Sequence, residues 1–518
     1  MAIERHTTEE TADDLSRRYG AAYLPLLTVT AVTAASTMMI SGTSIGVVVP
    51  DVMGAFGVGQ DKAQLMATAF YIAMTVSQLL SVWLGGLLGQ RRAFSIALLL
   101  FAMASVVGAT AEDFSLIVFA RVVQGVGAGL IQTQTMLALF QAFPAERRGM
   151  ALGFYAAGMV LAIGIGPALG GVVVEAFGWR YIFLAPMPLV FCVFLAGLFA
   201  MSTVRAARLP AFDWLGYALL IVAFYCVMTG LADGQRQGWF SNAIAALFGI
   251  AILSGGAFVW LQLSRSAPLL DFSLFLRRPF LISSCVGFVV GMGNFGSIYA
   301  VPVFAQLVQN LTPLDAGMLM LPASLIALCA LPLIGRLADS VTPRTGIVIG
   351  LLLFAVGTFP LAAADANTPF LHVLLFVVIV RLGMSVNLPF VTRTALASLP
   401  ADKVDIGAGT LNFCRQLGAS LGTAVWVVFL DIRTHFHSDV LASTQSAAND
   451  ASQEMLAGVR RVLEQFGFAG ADHQPGALHC LGQVVHAQAT ARGFQDSFLV
   501  LSIGFLPALL LGRRRPGA

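Results

Sequence analysis

Fourteen stretches of the chain are long, apolar and almost free of charge, and this pattern constrains the fold more than any other feature. A helix needs roughly 20 apolar residues to cross the hydrocarbon core of a bilayer. Charged residues make up only 11% of the chain, whereas soluble domains carry about 25%. The sequence therefore predicts an all-α membrane protein with spans near 24–49, 64–85, 93–110, 115–139, 150–174, 181–202, 214–231, 242–263, 280–304, 316–335, 345–363, 370–392, 406–430 and 494–512.

The distribution of basic residues predicts the orientation of these spans. If both termini are cytoplasmic, the short outer loops carry only Lys62, Arg180 and Arg236, and most other Lys and Arg residues fall in the tails and inner loops. This is the positive-inside pattern. Residues 1–20 are polar, so we expect a cytoplasmic tail rather than a signal peptide. The six cysteines predict neither a disulfide framework nor a metal site.

Residues 158–171 combine five glycines and one proline in a single apolar segment. Small residues let a second membrane helix approach closely, and a proline inside a helix removes a hydrogen bond and bends it. A bent helix of this kind suits a moving contact between two halves of a transporter; the alternative is a packing helix in some other membrane protein. The residues expected to carry the conformational change are Gly158, Gly166, Pro167, Gly170 and Gly171.

The fourth span contains RVVQGVGAG at 121–129, which places an arginine inside the hydrocarbon. An unpaired charge there costs several kcal/mol, so Arg121 is expected to face the bundle interior and to find partners. Gln124 lies one turn further on, and Gly125 begins a GxxxG pair that permits close helix packing. The functional interpretation is a coupling site; the structural alternative is an arginine that pins the fourth helix to the first.

No span has an acidic residue in its middle, whereas two later spans also contain arginines, Arg381 and Arg415. A cavity lined by arginines without carboxylates is electropositive, so it should favour anions and weak acids over organic cations. The alternative is that these arginines are buried structural pins. The candidate residues of the substrate cavity are Ser41, Ser44, Asn294, Tyr299, Gln306, Arg381, Asn387, Asn412 and Arg415.

The loops after the second and tenth spans occupy corresponding places in two halves of the chain, as parallel repeats would. The predicted organisation is a tail at 1–20, a six-helix bundle at 21–205, an extra helix pair at 206–270 and a second six-helix bundle at 271–518. The second bundle includes a long outer loop at 431–493. Within that loop, 450–467 has helical periodicity, with Asp450 as the expected cap and Gly467 as the expected end.

Four segments resemble the fourteen-span drug/proton antiporters of the major facilitator superfamily, the EmrB/QacA type. GPALGG followed by GWRYIF resembles the antiporter motif of their fifth helix, RVVQGVGAG their helix-4 motif, and NFCRQLGASLG at 412–422 their helix-13 motif. GRLADSVTPR at 335–344 resembles their gating loop, with the residues Gly335, Asp339 and Arg344. The resemblance covers about 24–512. It implies two six-helix bundles around a central cavity, with the extra pair packed outside.

The chain departs from the family pattern at two places. Ser41 stands where the first helix of these exporters commonly has an aspartate, so the usual proton carrier is missing. The nearest acidic candidates for coupling are Asp51 and Glu175, each of which also fits an ordinary membrane-boundary carboxylate. The loop after the second span has lost the family's Gly, Asp and Arg positions and retains only Gly89 and the Arg91–Arg92 pair.

Together these features predict a secondary exporter of amphipathic organic compounds, working by alternating access and exchanging protons, in a bacterial inner membrane. It is expected to be no enzyme and to use no cofactor or metal. A dedicated metabolite exporter or uncoupled facilitator is the first alternative, and a non-transporting membrane receptor is a more remote one. The long outer loop resembles that of family members that work with a periplasmic adaptor and an outer-membrane channel; otherwise it is a lid over its own bundle.

Overall fold

The computed structural model describes residues 10–144, 148–205, 211–265, 268–400, 403–445, 449–465 and 470–504. These residues form nineteen α-helices, which confirms the predicted all-α architecture. They are α1 (Ala12–Tyr19), α2 (Tyr23–Thr43), α3 (Ile45–Phe56), α4 (Gln60–Ala63), α5 (Leu65–Leu88), α6 (Gln90–Thr110), α7 (Phe114–Ala142), α8 (Arg148–Phe177), α9 (Met187–Ala200), α10 (Trp214–Gln237), α11 (Asn242–Ser264), α12 (Arg278–Leu307), α13 (Pro313–Met318), α14 (Met320–Ser340), α15 (Pro343–Thr358), α16 (Phe370–Ala397), α17 (Val404–Ser443), α18 (Asp450–Gln465) and α19 (Gly470–Gly504).

Thirteen helical segments of the described chain are long and apolar enough to cross a membrane, and they correspond to the first thirteen predicted spans. The first span continues from α2 into α3 through Ser44, and the tenth from α13 into α14 through Leu319, because both residues keep helical dihedral angles. The fourteenth span begins within α19 at Phe494, and its residues 505–512 lie outside the described residues. The protein is therefore a multi-pass membrane protein.

Two helical bundles meet at one junction. In the N-terminal half, α7 packs between α5 and α6, and α2 packs on α8 and α9. In the C-terminal half, α12 packs on α17, α15 on α16, and α17 on α19. Glycines allow the closest of these approaches: a Cβ atom at Gly422 of α17 would lie 2.5 Å from the Cα of Met292 on α12. Across the junction, α3, α5 and α8 face α12, the α13–α14 pair and α17.

The helices α10 and α11 form a hairpin outside the two bundles. Helix α10 packs against α5 and α17, so it covers the edge of the junction. The contact is apolar and includes Val76, Leu220, Phe224 and Phe413. Helix α11 lies further out and presents large apolar side chains on its outer face, with Ile252 74% exposed, as expected for a surface in contact with lipid.

The predicted outer loop 431–493 is mostly helical in the residues that the structure describes. Helix α17 continues to Ser443, and α19 begins at Gly470 and packs on α18. Hydropathy failed to predict these extensions because the helices continue beyond the apolar stretch. Helix α18 begins at Asp450 as expected, but its cap is Asn449, whose Oδ1 accepts from the backbone N–H of Ser452 at 3.3 Å. Gly467 lies outside the described residues.

We name the two ends of the bundle by their residues. The basic end carries Arg91, Arg278 and Arg344, each at the start of its helix. The Glu175 end carries Glu175 and the start of α13.

Candidate functional site

Arg121 lies on α7, and its guanidinium is fully buried. Nε donates to the carbonyl oxygen of Met66 at 3.0 Å, and Nη1 donates to Gln124 Oε1 at 2.9 Å and to the carbonyl oxygen of Ser41 at 3.4 Å. The guanidinium carbon also lies 4.2 Å from the centroid of the Phe70 ring, a cation–π contact. Four neutral groups from three helices therefore hold this cation in place of a carboxylate.

Gln124 and Gly125 support Arg121 in different ways. Gln124 donates through Nε2 to Ser105 Oγ at 2.7 Å, so its Oε1 is fixed toward the guanidinium. Gly125 lies against α5, and a Cβ atom there would stand 2.9 Å from the Cβ of Ala73. This close approach brings the backbone of α5 within reach of Arg121.

The first helix contributes polar groups to this region in three ways. Ser41 offers Arg121 its backbone carbonyl rather than its hydroxyl. Thr43 donates to the carbonyl oxygen of Met39 on its own helix. Ser44 donates across to helix α8, to the carbonyl oxygen of Gly166 at 2.7 Å. The residue between α2 and α3 therefore makes a polar contact with the glycine-rich helix.

The glycines of α8 face two neighbours. Gly158, Gly166 and Gly170 lie against α2 and α3; a Cβ atom at Gly170 would stand 2.8 Å from Val47 Cγ2. Gly171 instead faces the C-terminal half, where a Cβ atom would stand 2.5 Å from the Cα of Leu314. Pro167 lies inside α8, and its carbonyl oxygen would be 2.5 Å from a Cβ atom at Gly317 of α13.

The two carboxylates named as candidates for coupling lie near one end of the bundle but in different settings. Glu175 bridges the junction, because its Oε1 accepts from the backbone N–H of Leu314 at 3.0 Å. Asp51 follows Pro50 on α3 and is partly buried. In the described part of the chain, neither carboxylate, nor any other, forms an ion pair with Arg121, Arg381 or Arg415.

Arg381 of α16 is buried and largely occupied by neutral partners. Nη1 donates to Asn294 Oδ1 at 2.9 Å, and Nη2 lies 3.5 Å from Ser297 Oγ and from Met320 Sδ. Its Nε is buried without a hydrogen-bonding partner among the described residues. The arrangement connects α16 to α12 and α14 within the C-terminal half.

The remaining cavity candidates do not form one group. Tyr299 lines a cavity of about 10 Å³ between the halves, together with Tyr71 and Phe295, whose ring centroids are 4.8 Å apart. One water molecule needs roughly that volume. Asn387 instead faces α15, where a Cβ atom at Gly350 would contact it, and Gln306 donates to the carbonyl oxygen of Pro302 on its own helix at 3.3 Å.

Arg415 and Asn412 belong to a row of polar side chains that crosses the junction. Arg415 Nη2 donates to Asn412 Oδ1 at 2.6 Å, and Asn412 Nδ2 donates to Gln78 Oε1 on α5 at 3.1 Å. Gln78 Nε2 then donates to Gln132 Oε1 on α7 at 3.0 Å. Sequence reasoning missed both glutamines, although a glutamine inside an apolar span is itself a signal of a polar contact.

At the basic end, the first part of the predicted gating loop is helical. Gly335 and Asp339 lie within α14, which continues to Ser340, so the turn before α15 is short. The surroundings of Gly335 and the side chain of Asp339 lie outside the described structure, and Arg344 is exposed near the start of α15.

The loop after the second span forms an ion pair with a residue of the N-terminal segment. Arg91 Nη2 pairs with Glu10 Oε2 at 2.9 Å, and Arg18 Nη1 pairs with Glu10 Oε1 at 2.8 Å. The backbone of Glu10 also accepts from the N–H of Thr203 at 3.1 Å. A carboxylate from the N-terminal tail thus pairs with an arginine of a loop that has no acidic residue of its own.

A family model described as Major Facilitator Superfamily matches residues 29–423. The multidrug export protein EmrB of Haemophilus influenzae is 27% identical over 491 residues, covering 94% of this chain and 95% of that protein. The multidrug resistance protein Stp of Mycobacterium tuberculosis is 28% identical and covers 74% of this chain and 71% of that protein. Among solved structures, a bacterial homologue of the human lysosomal transporter Spinster aligns over 96% of this chain and 100% of that chain, with a TM-score of 0.63 and 15% identity. That likeness concerns the fold alone.

Proposed function

The chain belongs to the major facilitator superfamily, and we propose that it is a secondary exporter of amphipathic organic compounds that works by alternating access. The names of two relatives, a multidrug export protein and a multidrug resistance protein, support export of organic compounds. The proposal places it in a bacterial inner membrane with the basic end in the cytoplasm, as the positive-inside pattern favours. It performs no enzymatic chemistry in this proposal.

The observation that carries the substrate class is a set of three arginines that have no carboxylate partner among the described residues. Arg121 is held by neutral groups, and Arg381 has neutral partners within its own half. Arg415 is only partly buried, and Asn412 is its hydrogen-bonding partner at 2.6 Å. We therefore assign Arg415 the first contact with the charged group of a weak acid, while neutral amphiphiles use the surrounding apolar and aromatic side chains.

The size of this preference follows from Coulomb's law. At about 5 Å and an effective dielectric of 20, one anion–guanidinium contact is worth roughly 3 kcal/mol. Water near a partly buried group reduces this to about 1–2 kcal/mol, which corresponds to on the order of tenfold in affinity. For a lipophilic cation the interaction energy with the same guanidinium has the opposite sign, so the cation is repelled.

The first test compares three compounds that share one ring system: 2-naphthoate, 2-naphthamide and 2-naphthylmethylammonium. We expect the acid and the amide to bind purified protein and to be transported in everted vesicles, and the cation to be the poorest substrate. Arg415→Gln should weaken naphthoate binding about tenfold and leave naphthamide binding unchanged.

Arg236→Gln is the matched control for that variant, because Arg236 is exposed and pairs with Asp233 at 2.8 Å. It should bind all three compounds as the wild type does. Preferential transport of the ammonium compound by the wild-type protein would show that the proposed substrate class is wrong.

A second prediction restores the family's aspartate in the first helix. Ser41 is buried, and its carbonyl oxygen already accepts from Arg121, so Ser41→Asp places a carboxylate near a guanidinium that lacks one. We expect this variant to gain export of 2-naphthylmethylammonium, because the added charge offsets part of the repulsion of cations. Ser41→Asn, which has a similar shape but no charge, is the control, and equal cation export by both variants would contradict the electrostatic explanation.

Proton exchange separates the leading proposal from its alternative. In the coupled exporter, Glu175 takes up a proton at the Glu175 end. A protonated carboxyl is a weaker acceptor for the backbone N–H of Leu314 than a carboxylate, so the contact between the halves weakens. Asp51 is the second candidate for this role. An uncoupled facilitator or metabolite exporter would continue to equilibrate substrate after the proton gradient is collapsed, and a receptor would show no flux at all.

The helical segment outside the spans supports a further partner. The end of α17, together with α18 and the start of α19, extends from the Glu175 end of the bundle. Under the proposed orientation this segment is periplasmic, where an adaptor protein and an outer-membrane channel would continue the export path. Co-purification of an adaptor that is lost on removal of 445–469 would support that role, whereas full export without any partner favours the lid.

A further inference from the structure

All hydrogen bonds in the row of side chains across the junction are donated in the same direction, from α17 toward α7. Arg415 donates to Asn412, Asn412 donates to Gln78, and Gln78 donates to Gln132, at 2.6, 3.1 and 3.0 Å. The row therefore begins at a cation, and each amide is polarised by the donor behind it. Its last donor, Nε2 of Gln132, is buried and has no partner among the described residues.

Asn412 is the member of the row that joins the two halves. Its Oδ1 is held by Arg415 within α17, and its Nδ2 reaches Gln78 on α5 in the other half. With a rise of 1.5 Å per residue, Asn412 lies about 12 Å and Gln78 about 15 Å from the basic end of their helices. Separation of the halves at the basic end therefore stretches this hydrogen bond.

Each side of this bond is held rigidly by its own half. On α5, Ser81 Oγ donates to the carbonyl oxygen of Leu130, which fixes α5 to α7. On α17, a Cβ atom at Gly418 would meet the backbone of Phe288 on α12, so that pair is in close contact. Movement between the halves therefore concentrates at the junction, where the Asn412–Gln78 bond lies, rather than within either bundle.

We propose that the Asn412–Gln78 hydrogen bond is a latch between the two halves, and that an anionic substrate releases it by binding Arg415. This inference rests on the proposed function, since it takes the ligand of Arg415 to be the exported acid. A carboxylate offers a stronger acceptor than an amide and draws Nη2 of Arg415 away from Asn412. Asn412 then loses the bond that orients its amide, the contact with Gln78 is released, and the halves separate at the basic end. Gln78 acts as a positioning residue in this scheme.

Hydrogen–deuterium exchange of the full-length protein in nanodiscs tests the latch. The readout is exchange in peptides from the basic ends of α5 and α17, with 2-naphthoate and 2-naphthamide as probes. In the wild-type protein, naphthoate should raise this exchange about fivefold, the change that corresponds to the loss of one ordinary hydrogen bond, and naphthamide should not. Gln78→Leu should show the raised exchange without any ligand.

A side-chain swap distinguishes a latch from a general packing role. Gln78→Asn shortens one partner by a methylene group, and Asn412→Gln lengthens the other by the same amount. Each single variant should exchange rapidly without ligand, and the double variant should recover the slow, naphthoate-dependent exchange. Gln141→Leu is the control, because it removes the bond of 2.8 Å between Gln90 and Gln141 within the N-terminal half; it should leave α17 at the wild-type level.

The outcomes separate the latch from the substrate class. If Gln78→Leu exchanges as slowly as the wild type while naphthoate still binds and still accelerates exchange, the latch is overturned. If naphthoate does not bind the wild-type protein but Gln78→Leu still exchanges rapidly, the contact between the halves is supported and the proposed substrate is wrong. Failure of the swap to restore slow exchange also counts against the latch.

Discussion

Arg121→Ala should abolish export while the protein still inserts into the membrane. The substitution removes a buried cation that three oxygen atoms and one aromatic ring hold in place. The carbonyl oxygens of Met66 and Ser41 then lose their charged donor in a site that water does not reach. Hydrogen bonds to charged groups are worth about 1.5–3 kcal/mol each, so we expect export to fall at least about a hundredfold.

Arg121→Lys should fail almost as completely. The guanidinium reaches Met66 through Nε and both Gln124 and Ser41 through Nη1, while its flat face covers Phe70. A lysine ammonium is a compact donor that cannot reproduce this planar fork. Export is measured in everted vesicles, and insertion is measured from the membrane-bound fraction and the elution profile of detergent-purified protein.

Arg180→Ala supplies the control. Arg180 also lies over an aromatic ring, with its guanidinium carbon 4.4 Å from the centroid of Trp179, but it lies in a connection between helices. Its loss should leave export near the wild-type rate. Wild-type export by correctly inserted Arg121→Ala would mean that Arg121 only supports the packing of α7.

Much of the fold could be predicted because the membrane imposes one rule on the whole chain: every spanning backbone must be helical and apolar. That rule predicted the first thirteen spans. It failed beyond Asp431, where α17 continues as a helix to Ser443, because a helix outside the bilayer no longer needs apolar residues. It also could not indicate the hydrogen bond between Ser44 and Gly166, because Gly166 lies on another helix.

The candidate site was predictable only in its residue types. A buried arginine must find partners, so its spacing to Gln124 indicated one of them. The carbonyl oxygen of Met66 carries no signal in the sequence, because every residue has such an oxygen and the choice depends on how α5 meets α7. Asn412 and Gln78 are 334 positions apart, and no local pattern connects them.

The ion pairs of Glu10 at the basic end also could not be predicted from a local sequence pattern. The loop after the second span has no acidic residue of its own in the family's position, and the sequence therefore left its role open. The structure places Glu10 between Arg91 and Arg18, so a residue from the N-terminal segment provides the negative charge. The loop is connected to its own half rather than across the junction. This leaves Asn412–Gln78 as the cross-junction contact that a substrate at Arg415 can address directly.

Gly171→Leu should prevent the halves from closing at the Glu175 end. Gly171 of α8 lies against the start of α13, where even a Cβ atom would stand 2.5 Å from the Cα of Leu314 and from the carbonyl oxygen of Pro313. Backbone atoms cannot avoid the new side chain by changing rotamer, as a long side chain can. The two helices must therefore move apart. Overpacking of this kind costs typically 1–3 kcal/mol, which shifts a two-state equilibrium by roughly 5–150-fold. We expect export to fall at least about fivefold.

Gly317→Leu tests the same contact from the opposite side, because a Cβ atom there would stand 2.5 Å from the carbonyl oxygen of Pro167. Gly249→Leu is the matched control: this glycine also lies in a membrane helix, α11, but a Cβ atom would have nothing within 4 Å. Pro167→Ala should reduce export less, because it straightens the helix without filling the contact. Both leucine variants should expose the Glu175 end to a membrane-impermeant reagent, measured as faster labelling of a cysteine placed at Leu314. If that labelling and the export rate both match those of Gly249→Leu, the meeting of α8 and α13 is a static packing contact, and the conformational change must pass through another part of the junction.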